Sequence, residues 1–146
     1  MLWFVFSCEE FCEEQNRTAV VISFYDDDGP LKDGVKAMIK GIENDSLLYD
    51  GKSSYTQVML PVNPAADFMS FSIKNDTFPA DTIIINYIRH NGFISPKCGC
   101  VTYAEIQGEP EKKGKTMTQM VVTNPNVTTV SYRQRVFNAE NIRIYY

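Results

Sequence analysis

The chain has 146 residues, of which 44% are apolar and 22% charged, and a net charge of −4. A chain of that length suits one domain and can bury roughly 68–70% of its unfolded surface, enough for a core without staples. The acidic balance excludes a basic nucleic-acid face and a basic stripe for anionic lipid, and no apolar run reaches the ~18 residues that a membrane-spanning helix needs.

The first segment, "MLWFVFSCEEFC" (1–12), has two readings. Leu2 to Phe6 reads as the end of a secretory apolar stretch, with Ser7 as the small residue before a cut and Cys8 after it. Bacterial lipoprotein signals have this form. The Cys8 sulfur would then carry the lipid, and each buried CH₂ of an acyl chain contributes about 0.8 kcal/mol to anchoring. In the other reading the same residues form an edge strand of a cytoplasmic protein. The first reading is the expectation. It divides the chain into a signal remnant (1–7), a tether (8–16) and one β domain (17–146).

Alternation of apolar and polar residues recurs along the rest of the chain, without a sustained helical period, and predicts an all-β domain. Thr18 to Tyr25 puts Val20, Ile22 and Phe24 on one face. "DDDGP" (26–30) ends it as an acidic turn. Val35 to Ile42 opposes Val35, Ala37 and Ile39 to Lys36 and Lys40. "ENDS" (43–46) and "YDGKS" (49–53) read as turns around a short strand, Ser46 to Tyr49. Tyr55 to Leu60 follows, and the two prolines of "PVNPAAD" (61–67) break the ladder.

Phe68 to Lys74 sets Met69, Phe71 and Ile73 against Ser70 and Ser72. "TIIINYIRH" (82–90) is apolar on both faces, as for a central strand covered on both sides. "NGF" (91–93) carries a tight-turn dipeptide. Lys97 to Ile106, a solvated charged loop at Gln107 to Lys115, Thr116 to Thr123 and Val127 to Tyr132 come next. "NIRIYY" (141–146) closes the chain with Ile142, Ile144 and Tyr146 on one face. Seven to nine strands at this spacing predict an antiparallel Greek-key sandwich of immunoglobulin-like form, with a calycin-like β-barrel as the alternative.

The four cysteines are Cys8, Cys12, Cys98 and Cys100. With Cys8 lipidated, Cys12 can meet either partner on the late strand, because residues two apart share a face. Cys12–Cys98 is the expected disulfide and Cys12–Cys100 the alternative. Closing a loop of about 85 residues would contribute on the order of 4 kcal/mol in the chain-entropy model. A four-cysteine zinc site is disfavoured, since C-x-C on an extended strand chelates poorly. All four would stay reduced in a cytoplasmic chain.

The order of Cys8, Cys12, "VVISFYDDD", "DSLLYDG", "LPVNPAAD", "DTIIINYIR", "FISPKCGC" and "NIRIYY" resembles a family of small Bacteroidetes lipoproteins whose function is uncharacterised. The resemblance runs from about Cys8 to Tyr146. It implies export, a lipid anchor and a β-rich domain, and supplies no site residues. The chain departs from it in lacking a basic segment ahead of Leu2.

No residue pattern specifies catalysis. The one histidine, His90, lacks a neighbouring nucleophile motif; Ser95 sits in no nucleophile elbow. Asp26, Asp27 and Asp28 could bind calcium weakly but lack the spacing of a calcium loop, and read as a solvated turn. The lone Trp3 lies in the signal segment, and Tyr145 and Tyr146 read as packing aromatics. The expectation is a non-enzymatic, lipid-anchored protein of the cell envelope, an outer-membrane lipoprotein, with no cofactor, metal or nucleic acid. Its partners would be the membrane, through Cys8, and an envelope protein or glycan. The alternative is a carrier of a small apolar ligand in a barrel cavity.

Overall fold

The computed structural model describes residues 16–43, 45–63, 65–76, 78–95, 99–131 and 140–146. Thirteen strand segments among them form two sheets, and the chain is all-β.

The first sheet is organised by β1 (Asn16–Asp26). Successive residues of a strand present their amides and carbonyls to opposite edges, so β1 serves a different set of partners on each side. One edge holds β2 (Gly29–Pro30) through Tyr25 and Asp26, and β5 (Gln57–Pro61) along Ala19 to Ser23. The other holds β12 (Thr129–Ser131) at residues 16 to 18, then β13 (Ile142–Tyr145) at Ile22 to Tyr25. β10 (Gln119–Val122) covers the far edge of β13. The β1–β13 pair is parallel, which corrects the expectation of a purely antiparallel arrangement. A parallel neighbour must be reached by a long crossover, and here the whole chain between β1 and β13 supplies it.

The second sheet is antiparallel throughout and curls as a half-barrel. Its order is β4 (Leu47–Asp50), β3 (Ala37–Gly41), β6 (Phe68–Asn75), β7 (Asp81–Ser95), β8 (Gly99–Ile106) and β11 (Asn126–Val127). β9 (Glu111–Lys113) continues along the same edge of β7 as β8, pairing with Thr82 to Ile84.

One core fills the space between the sheets. Val20, Ile22, Phe24, Val58, Leu60, Ile142 and Ile144 face Ile39, Met69, Phe71, Ile73, Ile83, Ile85 and Tyr87 across it. Each is the inward member of an alternating pair. Full burial of one such side chain is worth about 1.5–3 kcal/mol, which holds the strand registers in place. Ala19, Val21 and Met59 form a smaller apolar cluster on the opposite face of the first sheet.

Three further expectations change. The tight turn at Asn91 to Phe93 is strand: Asn91 pairs with Thr102 and Gly92 with Val101, and the β7 ladder runs to Ser95. The segment 82–90 buries one face only, since Ile88 is exposed while Ile83, Ile85 and Tyr87 are buried. Its apolar run reflects a central strand with neighbours on both edges. The charged loop Gln107 to Lys115 contains β9, whose three residues are exposed as a loop would be. Thirteen segments exceed the expected seven to nine because long edges are shared. For example, Asn126 and Val127 pair with β8, and the chain then crosses to β1 through Thr129 to Ser131.

Candidate functional site

The sheets are bridged on one side by tyrosines. Val35 and Tyr55 exchange backbone hydrogen bonds of 2.9 and 3.1 Å, tying the approach to β3 to the approach to β5. The Tyr49 ring on β4 meets Tyr55 edge-on at 5.1 Å, and its hydroxyl accepts the Met59 amide of β5 at 2.9 Å. Val62 N donates to Thr18 O, so Pro61, one residue earlier, turns its nitrogen to the edge of β5 away from β1, where among the described residues no ladder needs a donor.

Beyond Tyr49 the seam opens into a groove of about 300 Å³. Leu48 and Pro61 give it a partly exposed apolar floor, Phe68 stands at its side, and Met69 and Phe71, almost fully buried in the core, back it. Glu43, Ser70, Ser46 and Asn63 supply its polar groups. Local sequence explains the positions. Glu43 lies two residues past the end of β3, and Ser70 is the residue facing away from the core between the inward Met69 and Phe71. Asn63 follows the β5 strand end, and its carbonyl accepts the Tyr87 hydroxyl at 2.6 Å, which pins the connection to β7.

Glu43 is the charged group of the groove. One carboxylate oxygen accepts the Ser70 hydroxyl, and the other accepts the Ser70 amide at 3.4 Å. Burial pushes the Glu43 pKa up, but the hydrogen bonds from Ser70 and from its own amide outweigh burial, and the net shift is downward. The carboxylate is thus held ionised. Among the described residues no lysine or arginine forms an ion pair with it. Three large exposed apolar residues stand at the same end of the second sheet: Ile42 beside Glu43, Leu47 at the start of β4, and Phe68.

The residues singled out in the sequence lie elsewhere. Cys8, Cys12 and Cys98 are outside the described residues, and with them the lipidation and disulfide expectations. Cys100 sits in β8 opposite Phe93. His90 is exposed on β7, with Nε2 3.6 Å from Glu105 Oε2. Asp26 accepts the Asp28 amide at 2.9 Å in a turn, and Asp27 and Asp28 are exposed. Among the described residues no three His, Cys, Asp or Glu converge as metal ligands. Tyr145 packs against Tyr25 at 5.6 Å and Tyr146 against Phe24 at 6.0 Å.

Sequence reasoning passed over Glu43, Ser70 and the apolar rim, whereas Asn63 lies in "PVNPAAD" (61–67), a connection whose exposure marks it for a partner. The signal was present in part: Ile42 and Leu47 are apolar residues flanking a turn that needs none.

The model of a family of unknown function (DUF6452) matches residues 36–146, a span that includes every residue of the groove. No curated protein and no solved structure matches the chain.

Proposed function

We propose, for a chain that belongs to the family of unknown function DUF6452, that it is a non-enzymatic binding domain held at the cell envelope by a lipid on Cys8. The observation that carries the binding role is the groove at the open end of the β4–β5 seam, with its apolar floor and ionised Glu43. A recognition site needs this combination: apolar area for affinity and a few fixed polar groups for orientation.

The same geometry argues against catalysis by the Ser70–Glu43 pair. A general base works best with a pKa near the working pH, whereas the Glu43 pKa is shifted downward, away from it. A nucleophilic serine also needs a base that a third side chain orients, and the side-chain hydrogen bond to Glu43 comes from Ser70 itself. The carrier reading finds less support. Among the described residues Ile39, Ile73, Ile83 and Ile85 occupy the space between the sheets where an apolar cargo would lie.

The lipoprotein and outer-membrane parts of the reading rest on the "LWFVFSC" segment and on the lipoprotein resemblance. Two sheets facing over one core are compatible with an immunoglobulin-like sandwich, to which the reading extends.

The test uses full-length protein in its own host, with a photo-reactive residue at Leu47 and a Cys8→Ala variant. The reading expects acyl mass on the peptide that begins at Cys8, release of Cys8→Ala from membranes, and a discrete crosslinked species from Leu47. An unmodified Cys8 with unchanged membrane retention overturns the anchor. No crosslink from Leu47 overturns the binding role.

A further inference from the structure

We infer that the groove takes an extended basic segment of a partner protein, one lysine or arginine side chain lying along the floor with its cationic head at Glu43. The inference rests on the binding role proposed above and names the chemistry of the occupant.

Three observations point to this occupant. Glu43 carries a charge that no cation among the described residues neutralises, and Ser70 fixes both of its oxygens in direction while leaving lone pairs open. The floor below it, Leu48 and Pro61, is apolar and partly exposed. Lysine and arginine are the side chains that combine an apolar stem with a charged head, and they bury the stem along such surfaces. A volume of about 300 Å³ also suits one long side chain better than a folded element.

The rim decides between a free amine and a protein segment. Ile42, Leu47 and Phe68 stand about half exposed at the same end of the sheet. A small cation in the groove would leave them in water. An extended segment with apolar residues two positions to either side of the basic one would cover them, because residues two apart on an extended chain point to the same side. The net charge of −4 favours the same partner, since long-range attraction raises the encounter rate of a cationic segment.

The test is a titration of the isotopically labelled protein with acetyl-Leu-Ser-Lys-Ser-Leu-amide, followed by amide resonances, with analogues that carry Gln or Glu in place of the lysine alongside. The expected result is saturable shifts at Glu43, Leu48 and Ser70, and binding of the lysine peptide at least tenfold tighter than either analogue. Glu43→Gln, which can still hydrogen-bond Ser70, should weaken the lysine peptide about tenfold and flatten its salt dependence. Leu47→Lys, an exposed change that sets a like charge between the lining residues Ser46 and Leu48, should weaken it as well. Equal affinity for the three peptides, an unchanged affinity in both variants, or no saturable shift at the groove overturns the inference. A crosslink from Leu47 together with equal peptide affinities rejects the basic occupant while the binding role stands.

Discussion

Asn141 pairs with Val21 as though it were part of a strand. Its amide donates to Val21 O at 2.9 Å, and its side-chain oxygen accepts Val21 N at 2.9 Å. Its side-chain nitrogen donates to Asn124 O at 3.0 Å and Asn126 O at 2.9 Å. One buried amide thereby joins β1, the start of β13 and the connection between β10 and β11. It acts at the point where β12 gives way to β13 along the edge of β1.

Removing that side chain orphans several groups at once. Asn141→Ala leaves the buried Val21 N without its partner, at a cost of about 1–3 kcal/mol, and takes a donor from the part-buried Asn124 O and Asn126 O. The summed loss is on the order of 3 kcal/mol, or roughly 6–12 °C in Tm for a domain of this size. Asn141→Asp keeps the acceptor for Val21 but turns an anionic oxygen toward two carbonyls. Its folded pKa must rise, so the penalty is absent below the unfolded value of about 3.9 and grows as pH increases. Melts of this variant should be lowest near neutral pH and recover in acid. A pH-independent loss would contradict the assignment.

Gly114 and Gly29 allow backbone strain to be separated from contact. Both have φ of +125°, which a side chain disfavours. A Cβ at Gly29 meets nothing within 4 Å, whereas one at Gly114 runs into the Asp81 carboxylate, 2.7 Å from Cγ and closer still to Oδ1. Asp81 is buried and cannot swing away without losing the Thr116 amide at 3.2 Å and the Met117 amide at 2.7 Å. Gly29→Ala should therefore show the strain alone, and Gly114→Ala a further loss of about 1–3 kcal/mol from overpacking. Denaturant melts of the two variants measure the difference. Equal losses would mean that the loop at Gly114 yields freely.

Glu140 gives the first sheet an acid-sensitive contact. Its carboxylate accepts Arg143 Nε at 2.7 Å and the Tyr25 hydroxyl at 3.4 Å. Burial raises its pKa, but hydrogen bonds from Ser23, Arg143 and Thr123 and the charge of Arg143 lower it further, and the net shift is downward. A folded pKa below the unfolded one contributes stability that is complete above the unfolded value of about 4.3 and is lost as pH falls through the folded value. The Tm gap between wild type and Glu140→Gln should be full at pH 7 and close in acid below that point. A gap unchanged down to pH 3 would assign the effect to packing.

The parts of this fold legible in the sequence are those set by local alternation. Val20, Ile22 and Phe24, and likewise Met69, Phe71 and Ile73, face the core as their spacing requires. Features decided by distant neighbours were hidden. Asn91 and Gly92 carry turn chemistry, yet Thr102 and Val101 hold them in a ladder. Nothing near "NIRIYY" states that it will lie parallel to a strand more than a hundred residues earlier. The groove was hidden for the same reason. Its members come from the ends of β3, β4, β5 and β6, and each reads alone as a turn residue or half of an alternating pair.

Tyr49 tests whether the seam beside the groove is held by one hydroxyl. Met59 N faces the edge of β5 away from β1 and has the Tyr49 hydroxyl as its acceptor at 2.9 Å. Tyr49→Phe keeps the ring against Tyr55 and removes only that oxygen. The net cost should be about 1 kcal/mol. The sharper readout is local: exchange of the Met59 amide should accelerate several-fold beyond the global change, while the Val58 and Leu60 amides, which face β1, should follow global stability alone. Uniform acceleration across β5 would mean that the hydroxyl supports the whole strand and not one amide. Unchanged exchange at Met59 would remove Tyr49 as the closure of the seam, and the groove would then have to be bounded by the Val35–Tyr55 backbone pair alone.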